Sequence, residues 1–136
     1  MPSHSTVFPW PSYYGHFNFF EQRMSAHSRV AKLTALGNGL YELALRSGTT
    51  LRVFVCECYS FGIAEYVETT TALGKLDAVI ISSAWCGYTW DAKLHSRNEK
   101  VGLYKIRDFM AALNKRELWS FLDEFELEHF KKNGWE

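Results

Sequence analysis

The 136-residue sequence is short of several things, and each shortage excludes something. It has three prolines, all within the first eleven residues. It has three cysteines, an odd number that does not read as a disulfide framework. It lacks an excess of either charge, with 15 lysines and arginines against 15 aspartates and glutamates. That balance argues against tight, indiscriminate binding of nucleic acid through phosphates alone, although it leaves room for a local basic patch. No apolar run approaches the roughly 18 residues of a membrane span, and MPSHSTVFPWPSYYGH has no charged segment leading into an apolar one, as a signal peptide would. The expectation is a cytoplasmic protein with free thiols and no membrane contact. Apolar residues are plentiful at 47%, enough at this length to fill the core of one domain.

The pattern along the chain divides into an irregular aromatic arm over 1–15 and a single domain over 16–136. The arm carries Trp10, Tyr13 and Tyr14 without a helical or strand period, and its aromatics suggest that it packs on something. Phe17, Phe20 and Met24 recur at helical spacing and predict a first helix over 16–27. RVAKLTAL, LYELAL and LRVFVCECY then read as three antiparallel strands. Asn38-Gly39 suits a type I′ turn, and Gly48-Thr49 a type II′ turn or a slightly longer loop. Residues 62–73 predict a helix with Ile63, Tyr66, Val67, Thr70 and Leu73 on one face, ended by Gly74. LDAVIISSAW is a continuous apolar strand, Thr89 can cap a short helix, and VGLYKI is a further strand. Asp108 can cap FMAALN, and ELWSFLDEFELEHFKK predicts an amphipathic closing helix. The order implies an α/β domain with a mixed sheet, a three-strand meander followed by helical crossovers.

Within VFVCECYS, Glu57 is a lone carboxylate in an apolar run, and burying it costs several kcal/mol, roughly, unless it is paired or bound to a cation. Alternation puts Val55, Glu57 and Tyr59 on one strand face. With a two- or four-residue turn before this strand, Glu42 lies across from Val55 and diagonal to Glu57, within roughly 7–8 Å. Two carboxylates so placed invite a divalent cation. The plainer reading is that Arg46, Arg52 or a backbone donor satisfies Glu57.

The order of elements around these residues resembles the PD-(D/E)xK nuclease superfamily, and its Mrr-like restriction endonuclease branch in particular, over about Phe19 to Leu113. Its motif is an Asp on the second strand and Glu-x-Lys on the third. Glu42 stands at the Asp position, Glu57 at the Glu position and Tyr59 at the Lys position, while Glu21 matches a helical acid found in some members. The segment DAVIISSAWCGYTWDAK is similar to the family's later strand, loop and Thr-x-x-Ala-Lys helix start. The resemblance implies a restriction endonuclease-like fold. If the domain is active, it implies hydrolysis of DNA or RNA with Mg²⁺ or Mn²⁺ held by Glu42, Glu57 and Glu21, and with Tyr59 placing the attacking water. The motif lysine is missing, and a phenol adds no positive charge. Glu65 and Glu68 follow without a basic residue before Lys75, Arg46 lies roughly 13 Å from Glu42 along the strand, and the sequence does not place Lys105. A degenerate, catalytically silent module that binds a protein partner or forms a homo-oligomer is the alternative.

Other constellations are thinner. Cys56, Cys58 and Cys86 with His95 could form a zinc site, although C-x-C on a strand suits plain packing better. Trp85, Tyr88 and Trp90 flank Cys86-Gly87 and could stack on bases, cap the core or meet a second subunit.

Overall fold

A computed structural model describes residues 7–135. In chain order it contains α1 (Tyr14–Ala26), β1 (Val30–Gly37), β2 (Leu40–Leu45), β3 (Thr50–Cys56), β4 (Ser60–Phe61), α2 (Ile63–Leu73), β5 (Ala78–Ile81), β6 (Gly87–Tyr88), α3 (Trp90–Asn98), β7 (Gly102–Lys105), α4 (Ile106–Ala112), a 3₁₀ turn (Leu118–Ser120) and α5 (Glu124–Lys132). One five-stranded mixed sheet has the order β1-β2-β3-β5-β7, antiparallel from β1 to β3 and parallel from β3 to β7. The two-residue strands β4 and β6 form a separate parallel pair. The chain is therefore a mixed α/β protein in which a meander precedes helical crossovers, as the pattern implies.

Strands β3 and β5 read as apolar runs because both faces of the sheet are covered. On one face, Phe20 and Met24 of α1 and Phe109 of α4 pack against Tyr41, Leu43, Val53, Val55 and Ile80. On the other, Tyr66 of α2 and Ala92 of α3 pack against Phe54, Cys56, Val79 and Ile81. Each large side chain taken fully out of water on these faces contributes about 1.5–3 kcal/mol. Residues 1–6 of the arm lie outside the described residues, and Phe8 and Trp10 belong to this second layer. Trp10 is buried, its ring 6.0 Å from that of Phe61, and Phe8 stacks on Phe54 at 5.7 Å.

The Asn38-Gly39 turn forms with positive φ at both residues (55° and 88°). Gly39 has a second reason to be glycine, since a Cβ there would lie 2.3 Å from the Val55 carbonyl oxygen. Thr89 caps α3 by accepting the Ala92 N–H at 3.0 Å, and Gly74 ends α2 at φ 77°.

Three expectations need correction. Helix α2 buries Tyr66 and Thr69 and leaves Ile63 and Val67 exposed. The Tyr66 hydroxyl donates to Glu99 at 2.7 Å, and the Thr69 hydroxyl to the Glu65 carbonyl, so polar tips are satisfied while their apolar parts turn inward. Asp108 does not cap α4, because the helix begins two residues earlier with Lys105 as its N-cap. The closing segment is not one helix. Asp123 accepts the Glu126 N–H at 2.8 Å while Glu126 accepts the Asp123 N–H, a capping box that starts α5 afresh. Phe130 is then the buried anchor and Phe125 faces solvent.

Candidate functional site

The geometry around Glu57 is decided by a loop 10 residues before it. The Leu45 N–H donates to the Thr49 carbonyl (2.8 Å) and the Gly48 N–H to the Leu45 carbonyl (3.0 Å), which leaves Arg46, Ser47 and Gly48 as the connection between β2 and β3. Gly48 has φ 98°, the left-handed conformation that closes a three-residue hairpin loop. An odd loop sets Tyr41 opposite Val53 and Glu42 opposite Arg52. The expected pairing of Glu42 with Val55 is thus wrong by three residues, and an odd offset exchanges faces. Glu42 shares a face with Arg52 and the layer of α2 and α3. Glu57 continues the face of Val53 and Val55, under α1.

Glu57 is 3% exposed. Its Oε1 accepts the Tyr13 backbone N–H at 3.1 Å and lies 2.7 Å from His16 Nδ1, while its own N–H donates to the Trp10 carbonyl at 2.8 Å. Helix α1 starts at Tyr13 without a side-chain cap. The Glu57 carboxylate fills that place from 44 residues away, at the end of the helix where a negative charge is favoured. Of the plainer partners considered for Glu57, the backbone donor is the right kind, and neither arginine is involved. Arg46 Nε donates to the Ser28 carbonyl and Arg52 Nη1 to the Leu73 and Lys75 carbonyls.

The other proposed site residues point elsewhere. Tyr59 is 67% exposed, beyond the end of β3. Glu21 is half-buried and accepts the Tyr41 hydroxyl at 2.7 Å, and burial followed by this acceptor raises the Tyr41 pKa. Glu42, Glu57 and Glu21 do not converge, and a hard cation such as Mg²⁺ needs oxygens from one direction. The residues therefore do not fit the metal that the family resemblance implies. Lys105, in register with Ile81 and Cys56 at the end of β7, donates its ammonium to the Ser83 (2.6 Å) and Cys86 carbonyls and so ties down the β5–β6 connection. Burial lowers its pKa and raises that of Cys86.

A second cluster escaped sequence reasoning. Lys93 is 1% exposed, donates to the Leu103 carbonyl at 2.7 Å, lies 3.6 Å from Glu126 and stands 4.0 Å from the centre of the Tyr104 ring. Burial pulls its pKa down to about 8, against the raising effect of Glu126. Tyr88 donates to Glu126 at 2.6 Å. Asp108, Asp123 and Glu126 bring carboxylate oxygens within 4.8 Å of one another. Two of the three acids already form the α5 capping box, and the ammonium beside Glu126 takes the place of a cation. The Thr-x-x-Ala-Lys pattern was the available signal for Lys93, but its partners lie on α5.

The thiols of Cys56, Cys58 and Cys86 are buried, and none of them is joined in a disulfide. Among the described residues no cysteine–histidine group reaches ligating geometry, and His95 instead lies 3.5 Å from Glu99 and edge-on to Tyr66. Of the aromatics Trp85, Tyr88 and Trp90, Trp85 alone is exposed, at 82%. Trp90 stacks on His129 of α5 at 3.7 Å. No family model, curated protein or solved structure matches the chain.

Proposed function

We propose that the chain is a restriction endonuclease-like domain that works by binding and does not hydrolyse phosphodiesters. The helix, meander, helix, strand, helix, strand order supports the fold relationship. The observation that carries the loss of hydrolysis is the enclosure of Glu57 by Tyr13 and His16, with Glu42 on the opposite face. A phosphodiesterase metal site needs both carboxylates on one cation, and here one of them caps a helix. Purified protein incubated with labelled single- and double-stranded DNA and RNA, in Mg²⁺ and in Mn²⁺, should leave all four intact. Metal-dependent cleavage that disappears in a folded Glu57→Gln variant would overturn this reading.

A further inference from the structure

At the opposite end of the sheet from Glu57, where β3, β5 and β7 begin, lies a cleft of about 630 Å³. Four connections of the chain deliver cations to its rim: Arg29 before β1, Arg46 in the β2–β3 loop, Lys100 after α3, and Lys115 with Arg116 after α4. The only acids on the lining are Asp77 and Glu117, and Asp77 already accepts the Arg52 N–H at 2.8 Å. Among the described residues none of the five cations has a carboxylate within ion-pair distance. In a chain of zero net charge this is a concentrated positive field. Leu51, Leu113 and Leu118 supply an apolar floor, and the half-buried Trp119 borders it.

Attraction to the C-terminal carbonyls of α3 and α4 accounts for Lys100 or Lys115 taken singly, but not for the convergence of Arg29 and Arg46 on the same space. Lys100 carries a further sign. It occupies the left-handed position (φ 62°) that ends α3, with its N–H donating to Arg97 and the Val101 N–H to Ser96. Glycine is the usual residue there, and a lysine accepts backbone strain in exchange for a cation at the rim.

We infer that this cleft binds the phosphates of nucleotide units, with a base against Trp119 and the leucine floor. The volume suits a mononucleotide or one or two residues of a single strand. The inference stands whether or not the domain hydrolyses anything, since no residue near Glu57 contributes.

The test is fluorescence anisotropy with labelled single-stranded DNA and RNA oligonucleotides, together with calorimetric titration of ATP and AMP, at 50 to 200 mM salt. Lys100→Gly is the informative variant, because it removes a cation while relieving the strained backbone. In the double variant Lys100→Gly/Arg116→Ala, affinity should fall on the order of tenfold and the salt slope for single strands by about 1.4, with the fold at least as stable by urea titration. Trp119→Ala should weaken binding by about tenfold. Binding of oligonucleotides only would identify a strand site, and equal binding of free nucleotides a mononucleotide site. Affinity weaker than about 1 mM for every probe at the lowest salt, or binding indifferent to both variants, would overturn the inference.

Discussion

Removing the Glu57 carboxylate should destabilise the metal-free protein, which is the reverse of what a metal-site acid would do. Glu57→Ala deletes the acceptor for the Tyr13 N–H and for His16, both bonded to a side chain that is 3% exposed. A hydrogen bond to a buried charge contributes about 1.5–3 kcal/mol. His16 is partly exposed and can turn to water, whereas the Tyr13 N–H has no such freedom, and relief from burying the carboxylate offsets part of the loss. The net expectation is about 3 kcal/mol, close to a 10 °C fall in Tm for a chain of this size. Glu57→Gln keeps a neutral acceptor and should lose about half as much. Urea titration of the purified variants reads the difference. A ligand in an empty acidic site would behave otherwise, its removal leaving stability unchanged or higher. It would also make stability rise with Mg²⁺, by about 1.4 kcal/mol at ten times Kd, and Tm with it. An alanine variant as stable as the parent, or a Mg²⁺-induced rise that the variant lacks, would refute the capping role.

Three further outcomes follow from the same structure. Lys93→Met removes the ammonium beside Glu126 and the donor to the Leu103 carbonyl, losses that relief from burying the charge largely offsets, so the net cost at pH 7 should stay below about 2 kcal/mol. In the parent the lowered Lys93 pKa means that between about pH 8 and 10.5 the unfolded chain holds a proton the folded chain has released, so the urea midpoint should gain from Lys93 as pH rises through that window, a gain that Lys93→Met abolishes. Burial raises the thiol pKa values, that of Cys58 to about 11, so a thiol reagent at pH 7.5 should label the native protein slowly and all three cysteines promptly in denaturant. Gly39→Ala should destabilise by about 2 kcal/mol or more in thermal melts, since its left-handed φ and the Val55 carbonyl both oppose a Cβ.

Features written in a few adjacent residues were legible in the sequence: the Asn38-Gly39 turn, the Gly74 stop, the Thr89 cap and the apolar runs of β5 and β7. Features set by the length of a short loop or by distant partners were not. Arg46-Ser47-Gly48 accommodates an even or an odd loop equally well on paper, yet that one residue of difference decides whether Glu42 meets Glu57. The role of Glu57 depends on Tyr13 and His16, more than 40 residues away, and on a backbone N–H that no side-chain pattern reveals. The break before α5 was visible in Asp123 and Glu126 as a capping box, but the longer apolar period of 117–132 masked it.

The β2–β3 register is the point on which the whole account turns, and cross-strand nuclear Overhauser effects measure it without reference to function. Contacts linking Tyr41 with Val53 and Leu43 with Leu51 place Glu42 beside Arg52 and away from Glu57, which is the predicted result. Contacts linking Glu42 with Val55 would put both carboxylates on one face and restore a metal-binding pair, contradicting the account.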